Sequence, residues 1–495
     1  MSSRENALIR WIVQSRGMEC AVLIKLFHHH ISRLSVLLAA GEALLFFGLI
    51  VFCVTAKIPY HWIGLVHAPL GMANAMGFAA WIVVVTTLVM GATGLYNREV
   101  MFEMDAVLAR MALSFSLAFV VFSVIEFALS PWVTSYSAQY KAAAFAIPAC
   151  AIASLFVRGL FGRLSKRENT KYRVLIVGRG RSAAKIAKMD SVGSCPFRVV
   201  GYVDFGDEQD RFALAPQFPA SSIATPAAAL ALMKTHRVEG IVIASDERRG
   251  LPHEALFQCR MKGISVEHFA TFWEAHAGNI DLDSLQPSWL TYSDGFSMNQ
   301  GWLLGKTMFD YAVASLLLLA TAPITILTAI LIRASGEGPI FFRQDRVGRN
   351  GKVFSVLKFR SMTVDAEKKS GPQWAKANDT RVTGIGRFIR KVRIDEIPQV
   401  INILKGDMSF VGPRPERPHF VPQLSEAIPY FNERHRVKPG LSGWAQINYP
   451  YGASVEDARN KLSYDLYYLK NGSVFLDFLI LLRTVHVILW PSGAR

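Results

Sequence analysis

The sequence lacks the cysteine patterns that build a metal site or a disulfide framework. Its five cysteines are scattered along the chain, and no two of them form a C-x-x-C pair: Cys20, Cys53, Cys150, Cys195 and Cys259. Structural zinc sites and small disulfide-rich folds both depend on closely or regularly spaced cysteines. We therefore expect ordinary buried thiols, and neither zinc nor a disulfide framework.

The chain also lacks a lysine- and arginine-rich run with interleaved aromatic residues, a feature typical of nucleic-acid-binding proteins. Its net charge of +16 nevertheless favours anionic partners. We therefore expect no nucleic-acid partner. Lipid headgroups and phosphorylated small molecules are the partners that the charge favours.

Charge is nearly absent from four stretches in the first third of the chain, and 51% of all residues are apolar. Each stretch approaches the roughly 20 residues that cross a bilayer as a helix. The stretches cover residues 34–56, 75–96, 106–129 and 142–161. No A-x-A-like cleavage site follows the first, so a signal peptide is not expected. The pattern predicts a four-helix transmembrane bundle over 34–165, after a cytoplasmic N-terminal segment of residues 1–33.

Basic residues flank this bundle at both ends. Five arginines and lysines precede the first helix, and five more lie in or after the end of the fourth. The first and third loops hold only Lys57 and Lys141. The positive-inside rule therefore places both ends of the bundle in the cytoplasm.

Two carboxylates, Glu42 and Glu126, lie within the predicted membrane helices. An acid inside a membrane segment marks either a functional site or a polar pair between helices. Pairing between helices or proximity to the membrane interface is favoured here, because the sequence offers no second polar group that would form a recognisable pathway with either acid.

The middle of the chain has the pattern of a nucleotide-fold domain. "YRVLIVGRGRSAAKIAKM" combines an apolar strand with Gly178, Gly180 and Ala183 in G-x-G-x-x-A spacing, and a second strand ends at Asp204. "VEGIVIASD" supplies another buried strand. We expect a Rossmann-like domain over residues 171–290. The glycine turn serves either a dinucleotide or close backbone packing, and packing is favoured, so no cofactor-binding residue is assigned.

A fifth apolar segment, residues 311–332, holds 22 residues without a charge. Its length suits a membrane span. A span would place the following arginine-rich region outside the cell, and Pro323 bends a helix at mid-segment. We therefore favour a broken, re-entrant helix over about residues 308–332, with a full fifth span as the alternative.

The last third carries a dense set of motifs. "FRQDRVG", "KFRSM", "DEIPQ", "GDMS", "VGPRP" and "KPGLSGWAQ" follow one another in order. These residues resemble the bacterial sugar transferase family, the monotopic polyprenyl-phosphate hexose-1-phosphate transferases, over about residues 300–490. Ile397 replaces the usual leucine, and Arg393 and Ile394 replace the common Ser-Leu. These changes leave the two acids in place and bear mainly on sugar preference.

The resemblance implies the fold class and the activity. The chain is expected to be a membrane protein with an α-helical bundle, a Rossmann-like α/β domain and a mostly α, membrane-associated catalytic domain over residues 300–495. Its partners are expected to be a nucleoside-diphosphate sugar, by family analogy a UDP-hexose, and undecaprenyl phosphate. The product would begin an exopolysaccharide, capsule or O-antigen type glycan. The expected location is the cytoplasmic face of the bacterial inner membrane, in contact with its lipid, and the sequence allows a homodimer without selecting one.

The residues themselves support covalent catalysis by an acid pair. Asp395 precedes a helical pattern, and Pro398 is tolerated only in a first helical turn, so Asp395 is placed at a helix N-terminus where negative charge is favoured. Carboxylates form aspartyl phosphates, and we assign attack on phosphorus to Asp395. Glu396 is assigned to metal binding or base assistance. Mg²⁺, bound by Asp395 and Glu396, would offset the repulsion between the acids and the phosphate.

The resemblance also implies a phosphate-binding set. It consists of Lys358, Arg360, Arg414 and Arg417, and Arg393 beside the acids joins it. Arginine suits this role because its planar fork binds phosphate oxygens in pairs. The alternative for any one of these residues is a basic surface that faces solvent or lipid headgroups.

Two apolar features near the C-terminus have several interpretations. Trp444 is expected either to stack on a base or to anchor at the membrane. The closing helix "SVFLDFLILLRTVHVILW" is interrupted by Asp477, Arg483 and His486, a pattern that favours an interfacial helix over a span.

Two other functions compete with sugar phosphate transfer. One is a membrane-anchored nucleotide-sugar oxidoreductase or dehydratase that uses the turn at Gly178. The other is a non-enzymatic scaffold for glycan assembly. The oxidoreductase requires Gly178 and Gly180 but not Asp395, and the scaffold tolerates Asp395→Asn, whereas sugar phosphate transfer by the expected covalent route does not.

Overall fold

A computed structural model describes residues 23–26, 29–55, 72–96, 104–129, 136–165, 171–178, 180–191, 195–203, 223–224, 238–245, 251, 253–285, 293, 295–296, 300–336, 338–363, 381–450, 452 and 454–489. The chain divides into two compact units, Met1–Ala277 and Gly278–Arg495. The second unit therefore begins inside the segment 171–290 that the sequence analysis treats as one domain. Asp204 lies outside the described residues.

The first unit opens with a short antiparallel hairpin and then four long helices. Strands β1 and β2 pair with each other, and the bounds of these elements are Leu23–Leu26, His29–Ser32, α1 Arg33–Thr55, α2 Met72–Ala92, α3 Met104–Leu129 and α4 Tyr136–Ser165. All four helices occupy the apolar stretches predicted as a bundle. Helices α1, α2 and α3 are long and apolar enough to cross a membrane, whereas α4 is apolar only over Ala146–Leu160.

Glu42 forms an ion pair between helices α1 and α4. Its carboxylate accepts two hydrogen bonds of 2.8 Å from Arg158, at Nε and Nη2, and both side chains are buried. Arg158 also donates Nη1 to Leu95 O at 2.9 Å, and Ser154 Oγ donates to Glu42 Oε1 at 2.5 Å. The prediction that Glu42 pairs between helices is confirmed. The side chain of Glu126 lies outside the described residues.

The second part of this unit is a five-stranded parallel sheet with the spatial order β5-β4-β3-β6-β7. The strands and the helices α5 to α7 are β3 Tyr172–Val177, α5 Arg181–Ser191, β4 Phe197–Val203, β5 Ile223–Ala224, β6 Gly240–Ile243, α6 His253–Met261, β7 Ser265–His268 and α7 Phe269–Ala277. The predicted parallel α/β sheet is present. Its central strand β3 is almost fully buried, as the apolar run in the sequence requires.

Gly178 stands directly after β3 and has a packing reason to be glycine. Its φ of +116° lies in a region that side chains rarely adopt. A Cβ placed there would lie 2.6 Å from the backbone nitrogen of Ser245, beside the end of β6. The turn is therefore explained by backbone packing without any bound cofactor.

The second unit contains the remaining elements. They are α8 Gln300–Ala334, β8 Phe341–Val347, β9 Val353–Phe359, α9 Gly384–Lys391, α10 Gln399–Lys405, β10 Ser409–Val411, α11 Val421–Ala427, β11 Gly440–Ser442, α12 Trp444–Asn448, α13 Val455–Asn471 and α14 Val474–Leu489. Strands β8 and β9 form an antiparallel hairpin, and β10 pairs with β11 in parallel. One apolar core joins residues of α8, α10, α13 and α14.

Helix α8 is the fourth candidate membrane span among the described residues. Pro323 lies inside it, and the residues on both sides belong to the same helix. The structure therefore has one helix where the sequence analysis expects a broken one, because a proline removes one backbone donor without necessarily ending the helix. The return of this segment to the cytoplasmic side stays a prediction.

Candidate active site

The hairpin of β8 and β9 positions Lys358, which stands opposite Phe342 near the end of the hairpin. Helix α10 is docked onto β9 by one side chain, Asn402. Its Oδ1 accepts from Leu357 N at 3.0 Å, and its Nδ2 donates to Ser355 O at 2.9 Å. Because Asn402 fixes α10 beside β9, the acids that precede α10 lie next to Lys358.

The acid pair lies in a single 3₁₀ turn, Ile394–Glu396, between α9 and α10. Arg393 opens the turn in a left-handed conformation, with φ of 61°. Such a conformation is uncommon for a non-glycine residue and is found in turns and at functional sites. The sequence pattern predicts Asp395 at a helix N-terminus. In the structure α10 has seven residues and begins at Gln399, so support from a helix dipole at Asp395 is weak.

Glu396 is held by two cations. Lys358 Nζ lies 2.8 Å from Glu396 Oε1, and Arg414 Nη2 lies 3.6 Å from the same oxygen. Burial opposes the ionisation of Glu396, but Lys358 and Arg414 outweigh it and lower the pKa of the carboxyl to about 2. Glu396 is therefore a permanent anion whose charge is already compensated.

Asp395 has a different environment, although it is the next residue. It is 8% exposed. Burial and the negative charge of Glu396 raise its pKa, whereas Lys358, Arg393 and Arg390 act in the opposite direction. Two adjacent carboxylates with opposite pKa shifts are typical of a site in which the two acids have different roles.

Arg414 is presented by a loop that closes on neighbouring backbone. The loop follows β10, and Gly412 N donates to Ser442 O of β11 at 2.9 Å. A Cβ on Gly412 would lie 2.3 Å from Lys438 O, so only glycine fits there. The "VGPRP" motif therefore sits in a tightly packed turn beneath the Arg414 side chain.

The other predicted phosphate-binding residues have different surroundings. Arg360 donates Nη2 to Ile332 O at 3.1 Å and to Gly336 O at 3.2 Å, so it caps the C-terminal end of α8. Arg393 lies beside the acids and lowers the pKa of both. Arg417 is half-buried in the same loop as Arg414, where its carbonyl accepts from Phe420 N. The structure brings Lys358, Arg393 and Arg414 to the acid pair.

No group of three or more His, Cys, Asp or Glu side chains suited to a metal occurs in the described part of the chain. A protein-only cage for a divalent cation is therefore absent from it. Mg²⁺ is commonly bound by one or two carboxylates together with substrate phosphates, and Asp395 with Glu396 matches that donor set.

The last third of the chain matches a protein-family model described as bacterial sugar transferase, over residues 301–491. The uncharacterized sugar transferase EpsL of Bacillus subtilis is 41% identical over 190 residues, which are 38% of this chain and 90% of the relative.

The chain belongs to the bacterial sugar transferase family.

Two larger relatives of this sugar transferase carry names that state a reaction. The UDP-N-acetylgalactosamine-undecaprenyl-phosphate N-acetylgalactosaminephosphotransferase of Aeromonas hydrophila is 39% identical over 260 residues, which cover 51% of this chain and 59% of the relative. The undecaprenyl-phosphate glucose phosphotransferase of Komagataeibacter xylinus is 31% identical over 348 residues, 68% of this chain and 63% of the relative. The chain thus spans about three fifths of each of these relatives.

Trp444 of the sugar transferase is a packing residue, and both functions expected for it are wrong in this structure. It is 4% exposed, its Nε1 donates to Gly278 O at 2.7 Å, and its ring stacks on Tyr467. The guanidinium of Arg483 lies 5.1 Å from the ring centroid. A buried ring with these contacts is available neither to a base nor to a membrane interface.

Asp477 of α14 has partners that the sequence did not predict. It is fully buried, with Oδ2 3.1 Å from Lys306 Nζ and Oδ1 2.6 Å from the hydroxyl of Tyr468. Asp477 was one of three polar residues that favoured an interfacial helix, and it forms a buried ion pair with α8; the interfacial location of the closing helix stays a prediction. The side chain of His486 lies outside the described residues.

Sequence reasoning missed three buried groups that surround the loop of Arg414. Lys306 and Asp310 of α8 appear in the sequence only as charges that bracket an apolar segment, and Arg434 belongs to a basic run. Lys306 contacts Val411 O, Asp310 accepts from Ser409 Oγ and Phe410 N at 3.0 Å, and Arg434 contacts Arg414 O. The position of Lys306 and Asp310 at the edge of an apolar stretch was the signal that could have identified them as buried charges.

Proposed function

We propose that the chain transfers a sugar 1-phosphate from a nucleoside-diphosphate sugar to a polyprenyl phosphate. The contrast between the two acids carries the proposal: Glu396 is compensated by Lys358 and Arg414, whereas Asp395 is the less compensated carboxylate. The names of two relatives state undecaprenyl phosphate as acceptor and support it as the acceptor here.

The proposed reaction has two displacements at phosphorus. A carboxylate oxygen of Asp395 forms a bond to the phosphorus attached to the sugar, and the bond from that phosphorus to the bridging oxygen breaks. The nucleoside monophosphate leaves with that oxygen. A phosphate oxygen of the polyprenyl phosphate then attacks the same phosphorus, and the Asp395 oxygen leaves. The product is a polyprenyl-diphosphate sugar, and the free aspartate is regenerated.

The basic side chains have distinct roles in this proposal. Lys358 and Arg414 hold Glu396 ionised, and Arg414 is 38% exposed at its side chain, so it is also accessible to a donor phosphate. Arg393 adds positive charge beside both acids. Arg360, as a helix cap, acts on phosphate only if its guanidinium leaves α8, so we assign it a supporting position. Arg417 is kept as a donor-binding residue of the same loop.

In this proposal Asp395 and Glu396 would hold Mg²⁺ together with phosphate oxygens of the donor. When bound, it supplies charge compensation for phosphate oxygens in the transition state. Glu396 remains ionised over the working pH range, which suits a metal ligand, because its pKa is held at about 2.

The apolar surface of α8 supports the proposed membrane location. Several large side chains of this helix are more than half exposed: Leu316, Leu319, Ile326, Leu327 and Ile330. Such a surface is stable in contact with lipid rather than water. We propose that α8 re-enters the cytoplasmic leaflet of the bacterial inner membrane and places the acid pair at the headgroup plane. The family supplies the reaction class, and the relatives differ in their sugars, so the donor is proposed as a UDP-hexose without a named sugar.

The decisive experiment separates the two displacements. Purified protein is incubated with UDP-hexoses, including UDP-glucose and UDP-N-acetylgalactosamine, in the presence of Mg²⁺ and without lipid, and its intact mass is measured. We expect an adduct of one hexose phosphate in the wild type and in Asp345→Asn, an exposed acid that serves as a matched control. Asp395→Asn should form no adduct. Lipid-dependent product without any adduct in the wild type would reject the covalent route.

A further inference from the structure

Backbone carbonyls of the loop between Val411 and Arg417 are bound by positively charged side chains. Lys306 Nζ donates to Val411 O at 2.7 Å, Arg434 Nη2 donates to Arg414 O at 3.0 Å, and Arg346 Nη1 donates to Pro415 O at 3.1 Å. Cations inside proteins ordinarily pair with carboxylates or bind ligands. Lys306 and Arg434 do pair with carboxylates, and together with Arg346 they also bind one short stretch of backbone.

Arg434 is the cation that contacts Arg414 itself. It is 5% exposed, and its Nη2 lies 2.9 Å from Asp465 Oδ2, a carboxylate that is 1% exposed. Its Nη1 also lies 3.5 Å from Glu416 Oε1, and its guanidinium lies 5.2 Å from the ring centroid of Phe431. A buried arginine with these partners is fixed in place and does not reach a substrate.

The first residue of the loop is held in a similar way. Lys306 of α8 is 5% exposed, and its ammonium group donates hydrogen bonds to both Val411 O and the Asp477 carboxylate. The hydroxyl of Tyr468 lies 3.3 Å from the same carbonyl. The loop is therefore anchored at its beginning as well as at Arg414.

The guanidinium of Arg414 is the more exposed part of this arrangement. Its side chain is 38% exposed and its Nη2 lies 3.6 Å from Glu396, a longer separation than that of Lys358 from the same acid. An exposed arginine loses conformational entropy when it is held in one position. A fixed Cα limits the positions that the guanidinium can occupy. The hydrogen bond from Arg434 to Arg414 O therefore restricts where the Arg414 guanidinium can lie.

We propose that Arg434, held by Asp465, is a positioning residue that fixes the backbone of Arg414 so that its guanidinium stays beside Glu396 and the donor phosphates. Arg434 touches neither the substrate nor the reacting atoms. The inference rests on the proposed sugar phosphate transfer, because it assigns to Arg434 an effect on the formation of the phosphosugar adduct.

The test is a double-mutant cycle between Arg434 and Arg414. Arg434→Lys keeps a buried positive charge beside Asp465 but removes the planar guanidinium, whose Nη2 contacts both Asp465 and Arg414 O and whose Nη1 lies near Glu416. We measure the rate of adduct formation at several UDP-sugar concentrations, and the unfolding midpoint, in the wild-type and Arg414→Ala backgrounds. Arg436→Lys is the matched control, since Arg436 lies in the same 3₁₀ segment, is exposed and pairs with Glu433.

A positioning role predicts that Arg434→Lys slows adduct formation by about tenfold or more in the wild-type background. In the Arg414→Ala background it should cause little further loss, because the group that it positions is already gone. The change in unfolding midpoint should be equal in both backgrounds. Arg436→Lys should leave the rate unchanged.

The proposal is overturned if Arg434→Lys slows the reaction by the same factor in both backgrounds, or if a folded Arg434→Lys protein reacts at the wild-type rate. Should Arg434→Lys not fold, Asp465→Asn is used under the same criteria, because it weakens the hold on Arg434 and keeps an oxygen acceptor. Failure of the proposed function is a separate outcome, since in that case the wild type itself forms no adduct.

Discussion

Lys358 Nζ and Glu396 Oε1 lie 2.8 Å apart, and this ion pair joins the β8–β9 hairpin to the turn that carries Asp395. The pair stabilises one carboxylate and leaves its neighbour with a raised pKa. If Asp395 attacks as a carboxylate, the pH dependence of adduct formation reports on the charges around it.

Lys358→Met should shift the acid limb of the rate profile to higher pH. Lys358 lowers the pKa of Asp395, so its removal raises that pKa further and protonates the nucleophile at higher pH. The check is the initial rate of adduct formation against pH for variant and wild type. An unchanged acid limb would show that Asp395 ionisation does not limit the reaction.

Glu396→Gln should shift the same limb in the opposite direction. Glu396 raises the pKa of Asp395, and a neutral amide removes that repulsion. The maximal rate should also fall, because Lys358 and Arg414 lose their anionic partner and, in our proposal, Mg²⁺ loses a ligand. A shift in the same direction as that of Lys358→Met would contradict the assigned charge pattern.

Glu42→Gln should destabilise the helical bundle by about 3–5 kcal/mol, because it leaves the buried Arg158 without its anionic partner. The double variant Glu42→Gln with Arg158→Met should recover part of this loss, since both buried charges are then removed. Unfolding midpoints in detergent for the two single variants and the double variant check this prediction. A loss in the double variant equal to the sum of the losses in the two single variants would show that the pair contributes no coupling.

His435 and Asp465 should influence stability in opposite directions between pH 4 and pH 6.5. Burial, with Arg434 adding to it, lowers the pKa of His435 from 6.5 to about 4, so its contribution to stability is lost as the pH falls through that range. Burial raises the pKa of Asp465 from 3.8 to about 6 against the effect of Arg434, so its contribution is lost as the pH rises.

His435→Asn therefore removes one of two opposing effects. Relative to wild type, the variant should lose less stability, or gain some, when the pH falls from 7 to 5. Unfolding midpoints at the two pH values provide the comparison. A variant more sensitive to acid than the wild type would show that His435 is protonated in the folded protein.

Gly178→Ala should destabilise the first unit more than Gly263→Ala does. Both glycines have positive φ, but a Cβ on Gly178 would meet Ser245 N at 2.6 Å, whereas a Cβ on Gly263 meets nothing within 4 Å. Strain alone costs on the order of 1–3 kcal/mol at either position, so the difference measures the clash. Equal unfolding midpoints for the two variants would remove the packing explanation and restore the case for a cofactor at this turn.

Helices and strands were predictable where a long apolar stretch or a short apolar run alone determined the type of element. Four apolar stretches gave four helices, and apolar strands after Tyr172 and Val238 gave a parallel sheet. Helix α8 continues across Pro323, because a proline disfavours a helix at its position without always ending it.

The site was predictable only as a set of residues. The motifs named Asp395, Glu396, Lys358 and Arg414, and the structure brings these four together. The same motifs predicted that Arg360 binds phosphate. In the structure its guanidinium caps the C-terminal end of α8. The partners of Asp477 and Arg434 are distant in sequence, at separations that no local pattern encodes, so their burial could not be predicted.

Arg360 and Lys358 stand two residues apart, one bonded to the C-terminal end of α8 and the other to Glu396. Extended chain advances about 3.3 Å per residue, so roughly 7 Å of backbone separates the residue that caps α8 from the residue that pairs with Glu396. If α8 lies in the bilayer as proposed, this short connection sets the height of the two acids above the membrane core. An acceptor whose phosphate lies at another height would then not be reached.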